Sequence, residues 1–132
     1  MNRMEVSVVT PTYNRRRFIP MLISYYESQT YPKENMEWII LDDGHDKVED
    51  LFNEAAQRIP NIRYYALDEK QTIGSKRNLL NDYAQGNIIV CMDDDDYYPP
   101  TRVSSVVEAF QRHPRASVRS EEHTSELQSR VD

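Results

Sequence analysis

The run Asn87 to Met92 (NIIVCM) is almost wholly apolar and passes straight into Asp93, Asp94, Asp95 and Asp96. A strand with one wet face alternates polar and apolar residues. An unbroken apolar run is expected of a strand covered on both faces, as in a parallel sheet. Further strand-like runs occur at Glu5 to Thr10, Glu37 to Leu41 and about Ile62 to Ala66, with helical patterns between them. Strands and helices in alternation predict an α/β fold: an open, mainly parallel Rossmann-like sheet with helices on both faces.

The helical segments carry their own punctuation. Pro20 suits the first turn of a helix running to about Gln29, since the N–H it lacks has no helical partner there. Leu22, Ile23 and Tyr26 would face the sheet. Val48, Leu51, Phe52, Ala55, Ala56 and Ile59 recur at helical spacing, and Asp46 with Glu49 fits a capping box ahead of them. Ser75 is a candidate cap for a third helix burying Leu79, Leu80, Tyr83 and Ala84, with Gly86 closing it. A last helix follows Pro99 and Pro100, turns Val103, Val106, Val107 and Phe110 inward, and stops at His113 and Pro114.

Bulk properties exclude several functions. The chain has 132 residues, room for one domain, and a net charge of −6. Nucleic acids and anionic membranes attract clustered Lys and Arg. Here the only basic cluster is Arg15, Arg16 and Arg17, so no nucleic-acid partner is expected. No run has the length of a membrane-spanning helix, and the N-terminus lacks a signal-peptide pattern. The single cysteine, Cys91, sits in an apolar run and reads as a buried core thiol, so a reducing, cytoplasmic setting is the expectation. Only Gly44, Gly74 and Gly86 are present, which leaves no dinucleotide fingerprint and no P-loop.

In open parallel sheets, ligands bind beyond the carboxyl ends of the strands. Three polar clusters fall at such ends: Pro11-Thr12-Tyr13-Asn14, Asp42-Asp43, and Asp93 to Asp96. Adjacent carboxylates raise one another's pKa, and a hard cation relieves that repulsion. Asp93-x-Asp95 therefore suits a divalent cation, Mg²⁺ or Mn²⁺, shared with a diphosphate. A charge run is otherwise a solvated loop. Asp42-Asp43-Gly44 reads as a turn or as acceptors for a base or ribose. Tyr13 offers a face for stacking or is simply a half-buried loop residue. Lys76 and Arg77, placed in a first helical turn, oppose the helix dipole, which an anion would compensate. They read equally well as solvent-facing.

Taken in order, SVVTPTYNR (Ser7 to Arg15), SQTYP (Ser28 to Pro32), EWIILDDG (Glu37 to Gly44), IGSKRN (Ile73 to Asn78) and GNIIVCMDDDDYYPP (Gly86 to Pro100) resemble the family-two glycosyltransferases of the GT-A fold. Each piece is weak alone; the ordered set covers residues 4 to 118 and is specific. The resemblance implies that Pro11, Thr12 and Tyr13 line a nucleotide pocket and that Asp43 hydrogen-bonds the base, commonly uracil. It places Lys76 and Arg77 near the nucleotide or its phosphates and makes Asp93-x-Asp95 the DxD motif. Asp93 or Asp94 would then face the ribose, Asp93 and Asp95 the metal, with Asp96 helping to orient that shell. The implied reaction moves a sugar from a nucleotide-diphosphate donor, UDP-linked by this reading, to an acceptor hydroxyl of a glycan, lipid or protein. Inverting members use a carboxylate as general base, expected beyond this segment, and Asp68, Glu69 and Asp96 are not candidates for it.

A fifth strand starts at Ala116, Ser117 and Val118 and does not develop. From Arg119 the chain reads RSEEHTSELQSRVD, which resembles an in-frame translation of a sequencing adapter. Residues 1–118 are thus read as the nucleotide-sugar-binding part of a truncated domain, and 119–132 as an artefactual disordered tail. Two other classes stay open: a nucleotide- or metal-binding module without turnover, and a nucleotidyltransferase. The latter calls for a Gly-rich basic loop where Pro11-Thr12-Tyr13 stands.

Overall fold

A computed structural model describes residues 5–112 and 128–129 of the chain. The elements, in order, are β1 (Val6–Thr12), α1 (Ile19–Glu27), β2 (Met36–Asp42), α2 (Glu49–Ala55), β3 (Ile62–Ala66), α3 (Ile73–Tyr83), β4 (Ile88–Cys91), α4 (Arg102–Arg112) and β5 (Gln128–Ser129). The sheet order is β3-β2-β1-β4-β5. The first four strands are parallel, and β5 lies antiparallel at the edge of β4. This is the α/β Rossmann-like architecture expected from the alternation.

Successive side chains of a strand point to opposite faces, so the sheet separates two cores. Val8, Trp38, Ile40, Val90 and Met92 pack with α1, α2 and α4. Val9, Ile39, Leu41, Ile89 and Cys91 pack under α3. Trp38 is fully buried, stacked on Tyr26 at 4.3 Å between ring centroids, and its indole N–H donates to Thr10 Oγ1 at 2.9 Å. Aromatic burial of this kind supplies both area and a fixed geometry.

Several boundaries differ from the sequence reading. β1 was expected to stop at Thr10 but runs through Pro11 to Thr12. The Val9 carbonyl faces β4, accepting from Met92 N, and the Thr12 carbonyl faces β2, accepting from Asp43 N. By alternation the N–H that Pro11 lacks falls on the β4 side. There β4 pairs only as far as Val9, so no ladder bond is lost. The capping box of Asp46 and Glu49 does not form: Val48 caps α2, and its N–H goes to Asp42 Oδ2 at 3.0 Å. Ser75 is not the cap of α3. Thr72 is, its Oγ1 accepting from Ser75 N at 3.1 Å, so Lys76 lies a turn further in than expected. Gly86 does not end α3 in a left-handed turn; Ala84 ends it in extended conformation.

The expected helix stop at His113-Pro114 and strand start at Ala116 to Val118 lie outside the described residues. So does most of the 119–132 tail, of which the two residues of β5 are placed. Among the described residues no helix is long and apolar enough to cross a membrane.

Candidate functional site

The three polar clusters converge. β1, β2 and β4 end side by side, which brings the loops after Thr12, Asp42 and Cys91 together at the carboxyl edge of the sheet. An open cavity of about 260 Å³ forms there. Pro11, Thr12, Tyr13, Lys76, Arg77, Asp93, Asp94 and Asp95 all line it, together with Arg15 and Ile73. A second cavity of about 560 Å³ shares Tyr13, Ile73 and Lys76 with it and extends along Lys70, Gln71 and Thr72.

The aspartates after β4 are individually fixed. Asp94 accepts from Thr12 Oγ1 at 2.8 Å, and its side chain is only 9% exposed. Burial, reinforced by the neighbouring carboxylates, raises its carboxyl above the ordinary range despite the Thr12 hydroxyl and Arg15. Asp93 and Asp95 are about half exposed and open to the cavity. Arg77 lies 3.9 Å from Asp93, and Arg15 lies 4.0 Å from both Asp94 and Asp95. The N–H of Asp93 donates to Tyr98 Oη at 2.6 Å, which anchors the start of the loop to the buried Tyr98 ring. Asp96 is exposed, faces the Tyr98 hydroxyl at 3.5 Å, and does not line the cavity.

Cys91 underlies this loop, with Arg77 Nη1 at 2.9 Å from its sulfur. Burial and the nearby Asp93 push the thiol up to about 11, against the pull of Arg77, so it stays protonated at neutral pH.

Lys76 is not solvent-facing. Its ammonium pairs with Asp43 Oδ1 at 2.8 Å, with the two side chains 6% and 0% exposed. Asp43 Oδ2 accepts from Gln71 N at 2.6 Å. Burial would raise the Asp43 carboxyl, but the Gln71 N–H and Lys76 outweigh it and hold it below the ordinary range. Asp43, like Asp96, is an expected site residue that neither cavity reaches; it pairs with Lys76, which lines both. Its neighbour Asp42 is structural. Asp42 accepts from Gly44 N, Val48 N and Tyr64 Oη, tying the loop after β2 to α2 and β3.

Sequence reasoning gave Arg15 no role of its own, because it stands in what looks like a single basic run. The run divides three ways. Arg15 turns to the aspartates, Arg16 pairs with Asp46 and Asp50, and Arg17 lies over the Phe18 ring. The signal available was its place two residues after Tyr13 on the same loop. That loop is shaped by Asn14, at φ 55°, whose Oδ1 accepts from His45 N and Asp46 N. A Cβ on Gly44 would come within 2.5 Å of Asn14 N, so the two loops touch only because residue 44 has no side chain.

Among the described residues no three acidic, His or Cys side chains group closely enough to hold a metal ion alone. Asp93 and Asp95 both line the cavity and could hold Mg²⁺ or Mn²⁺ only as two carboxylates, with phosphate oxygens and water completing the shell.

Comparison with known proteins identifies the family and the fold. The Glycosyl transferase family 2 model matches residues 7–127. The minor teichoic acid biosynthesis protein GgaB of Bacillus subtilis is 33% identical over 110 residues, covering 83% of this chain and 12% of GgaB. The poly(ribitol-phosphate) beta-N-acetylglucosaminyltransferase TarS of Staphylococcus aureus is 28% identical over 96 residues, 71% of this chain and 17% of TarS. The crystal structure of S. aureus TarS 1-349 in complex with UDP-GlcNAc superposes with a TM-score of 0.75 at 25% identity, over 84% of this chain and 32% of that one. The mannosyltransferase PcManGT from Pyrobaculum calidifontis, in complex with GDP-Man and Mn²⁺, shares the fold with a TM-score of 0.74 at 22% identity, over 83% of this chain and 33% of that one. The chain thus spans a minor part of the relatives it matches. With the motifs in order, the strand ends converging and the family model covering most of the sequence, this chain belongs to glycosyl transferase family 2.

Proposed function

We propose that this domain binds the nucleoside diphosphate of a sugar donor in the cavity at the carboxyl edge of β1 and β4. It would serve a glycosyltransferase that moves the sugar to an acceptor hydroxyl with inversion. The observation that carries the reading is one cavity lined by Asp93, Asp94 and Asp95 together with Arg15, Lys76 and Arg77. Carboxylates and cations interleaved in this way suit a diphosphate that brings a divalent cation with it. The TarS complex with UDP-GlcNAc supports a UDP-linked donor.

In this reading Tyr13 offers its face to the base, and Pro11 and Thr12 form the floor. Asp94, held by Thr12, faces the ribose, with Asp93 beside it. Asp93 and Asp95 are the residues that would hold Mg²⁺ or Mn²⁺; a bound cation neutralises the charge that develops on the leaving diphosphate. Arg77 and Arg15 add donors along the same path. The acceptor oxygen would bond to the anomeric carbon as that carbon's bond to the diphosphate oxygen breaks; the electron pair leaves with the nucleotide, and the hydroxyl proton passes to a carboxylate general base, a role given to none of the cavity residues.

Calorimetry with UDP, with and without Mn²⁺, tests the reading. Asp95→Ala is expected to weaken UDP binding at least tenfold and to remove its dependence on the cation. Unchanged cation dependence in that variant would sink the metal assignment. Tight UDP binding without hydrolysis of UDP-GlcNAc would favour a binding module.

A further inference from the structure

The cations that line the smaller cavity beside the aspartates are held in different ways. Lys76 is buried in its pair with Asp43, and Arg77 is tied to the Cys91 sulfur at 2.9 Å. Arg15 is fixed only at its backbone, where its carbonyl accepts from Phe18 N at 2.9 Å. Its side chain is 43% exposed and makes no hydrogen bond among the described residues. The guanidinium lies 5.4 Å from the centre of the Phe18 ring, with Nε 4.0 Å from Asp94 Oδ1 and Nη2 4.0 Å from Asp95 Oδ2. Those separations lie beyond hydrogen-bond range, so the attraction is coulombic and sets no fixed geometry. Arg15 thus spans two carboxylates without being anchored to either.

We infer that Arg15 is a movable counter-cation, which competes with a divalent cation for Asp95 until a nucleoside diphosphate draws the guanidinium onto its own oxygens. The inference rests on the donor-site reading above. Mg²⁺ lies about 2.0–2.1 Å from its oxygen ligands, so an ion on Asp95 Oδ2 would be no more than about 6 Å from Arg15 Nη2. In water, a divalent ion and a guanidinium held at that range repel by about a factor of ten in affinity. A diphosphate reverses the effect. Its oxygens suit the planar fork of an arginine better than two carboxylates at 4.0 Å do, and moving there leaves Asp95 to the cation. Cation and nucleotide then favour each other by more than their direct contact, and that coupling is reciprocal. Arg77 lacks this freedom, because leaving Asp93 would also break its contact with the buried Cys91.

The test compares Arg15→Gln with Arg17→Gln, which removes the same charge from the same basic run at a side chain that lies over Phe18. Both arginines are exposed, so both variants should fold, which melting curves check. Mn²⁺ binding to the 132-residue chain is titrated by electron paramagnetic resonance, which reads the free ion, at low ionic strength and without nucleotide. Arg15→Gln is expected to tighten Mn²⁺ about fivefold, below the factor for a guanidinium held still, and the gain should shrink in about 0.15 M salt. Arg17→Gln should stay close to wild type. UDP binding is measured by calorimetry in EDTA and again with saturating Mn²⁺. In EDTA, Arg15→Gln should bind UDP several-fold more weakly. The factor by which Mn²⁺ tightens UDP should fall about fivefold, matching the gain in Mn²⁺ affinity. Mn²⁺ affinity that is unchanged or weaker in Arg15→Gln, or raised equally in Arg17→Gln, overturns the competition. UDP affinity in EDTA that Arg15→Gln leaves unchanged overturns the transfer to the diphosphate. A wild-type chain that binds no UDP with or without Mn²⁺ overturns the donor-site reading instead. The competition for Asp95 is then judged on the Mn²⁺ titration alone: tightening confined to Arg15→Gln upholds it, and no tightening, or no binding by either chain, overturns it.

Discussion

Glycine to alanine substitutions at two positions should change stability in opposite directions, and the structure gives the sizes. At Gly86 an added Cβ would lie 2.9 Å from Ser7 N, Ser7 Oγ and the Val6 carbonyl carbon. Two of those atoms are backbone of the central strand β1, so they cannot simply rotate away. The Ser7 hydroxyl would also be pressed off its bonds, in which it accepts from Gly86 N at 2.8 Å and donates to the buried Glu37 at 2.6 Å. No described glycine has positive φ, so alanine meets no backbone penalty there and gains about 0.4–1 kcal/mol through the unfolded state. Overpacking costs about 1–3 kcal/mol, which leaves Gly86→Ala destabilised by roughly 1–2 kcal/mol. Gly74 lies in the first turn of α3 with no heavy atom within 4 Å of the added carbon. Gly74→Ala should stabilise by roughly 0.5–1 kcal/mol. Urea unfolding followed by the fluorescence of Trp38, the single and fully buried tryptophan, measures both. A Gly86→Ala variant within about 0.5 kcal/mol of wild type, or shifts of the same sign at both sites, would refute the steric argument.

Three further outcomes follow from the charges. Burial raises the Asp94 carboxyl, so the folded state holds that proton more tightly than the unfolded chain, and ionisation at neutral pH costs stability. Asp94→Asn should therefore melt higher than wild type at pH 7 while binding UDP more weakly, and the gain should vanish as pH falls through 3.8. Asp43 has the opposite sign: against burial, the Gln71 N–H and Lys76 hold its carboxyl low. Its contribution is complete above the ordinary value of 3.8 and is lost as pH falls through the lower folded value, so melting of wild type and Asp43→Asn should converge in acid. With its thiol pushed up to about 11 and 6% exposed, Cys91 should resist iodoacetamide at pH 8 until the chain is unfolded; rapid labelling of the native chain would contradict the burial.

What the sequence determined by itself is the parallel α/β plan and the sheet edge at which ligands would gather. Those follow from local signals. The unbroken apolar run ending at Met92 requires cover on both faces, and Val103, Val106, Val107 and Phe110 have a helical period that survives in α4. What only the tertiary structure decided is the job of each polar residue. Asp42 and Asp43 are adjacent and alike, yet one ties a loop to α2 and β3 and the other holds a lysine from α3. Arg15 reaches Asp94 and Asp95, Arg16 pairs with Asp46 and Asp50, and Arg17 shares only the Phe18 ring with Arg15. Lys76 was as readily solvent-facing as not until Thr72 fixed the start of α3 and turned it inward. The physical reason is range. Backbone periodicity is written in residues a few places apart, whereas the partner of a charge can come from a distant segment, as Lys76 and Asp43 show with 33 between their positions. Which side chain meets which depends on strand register and helix placement, and those are fixed only when both cores close on the sheet.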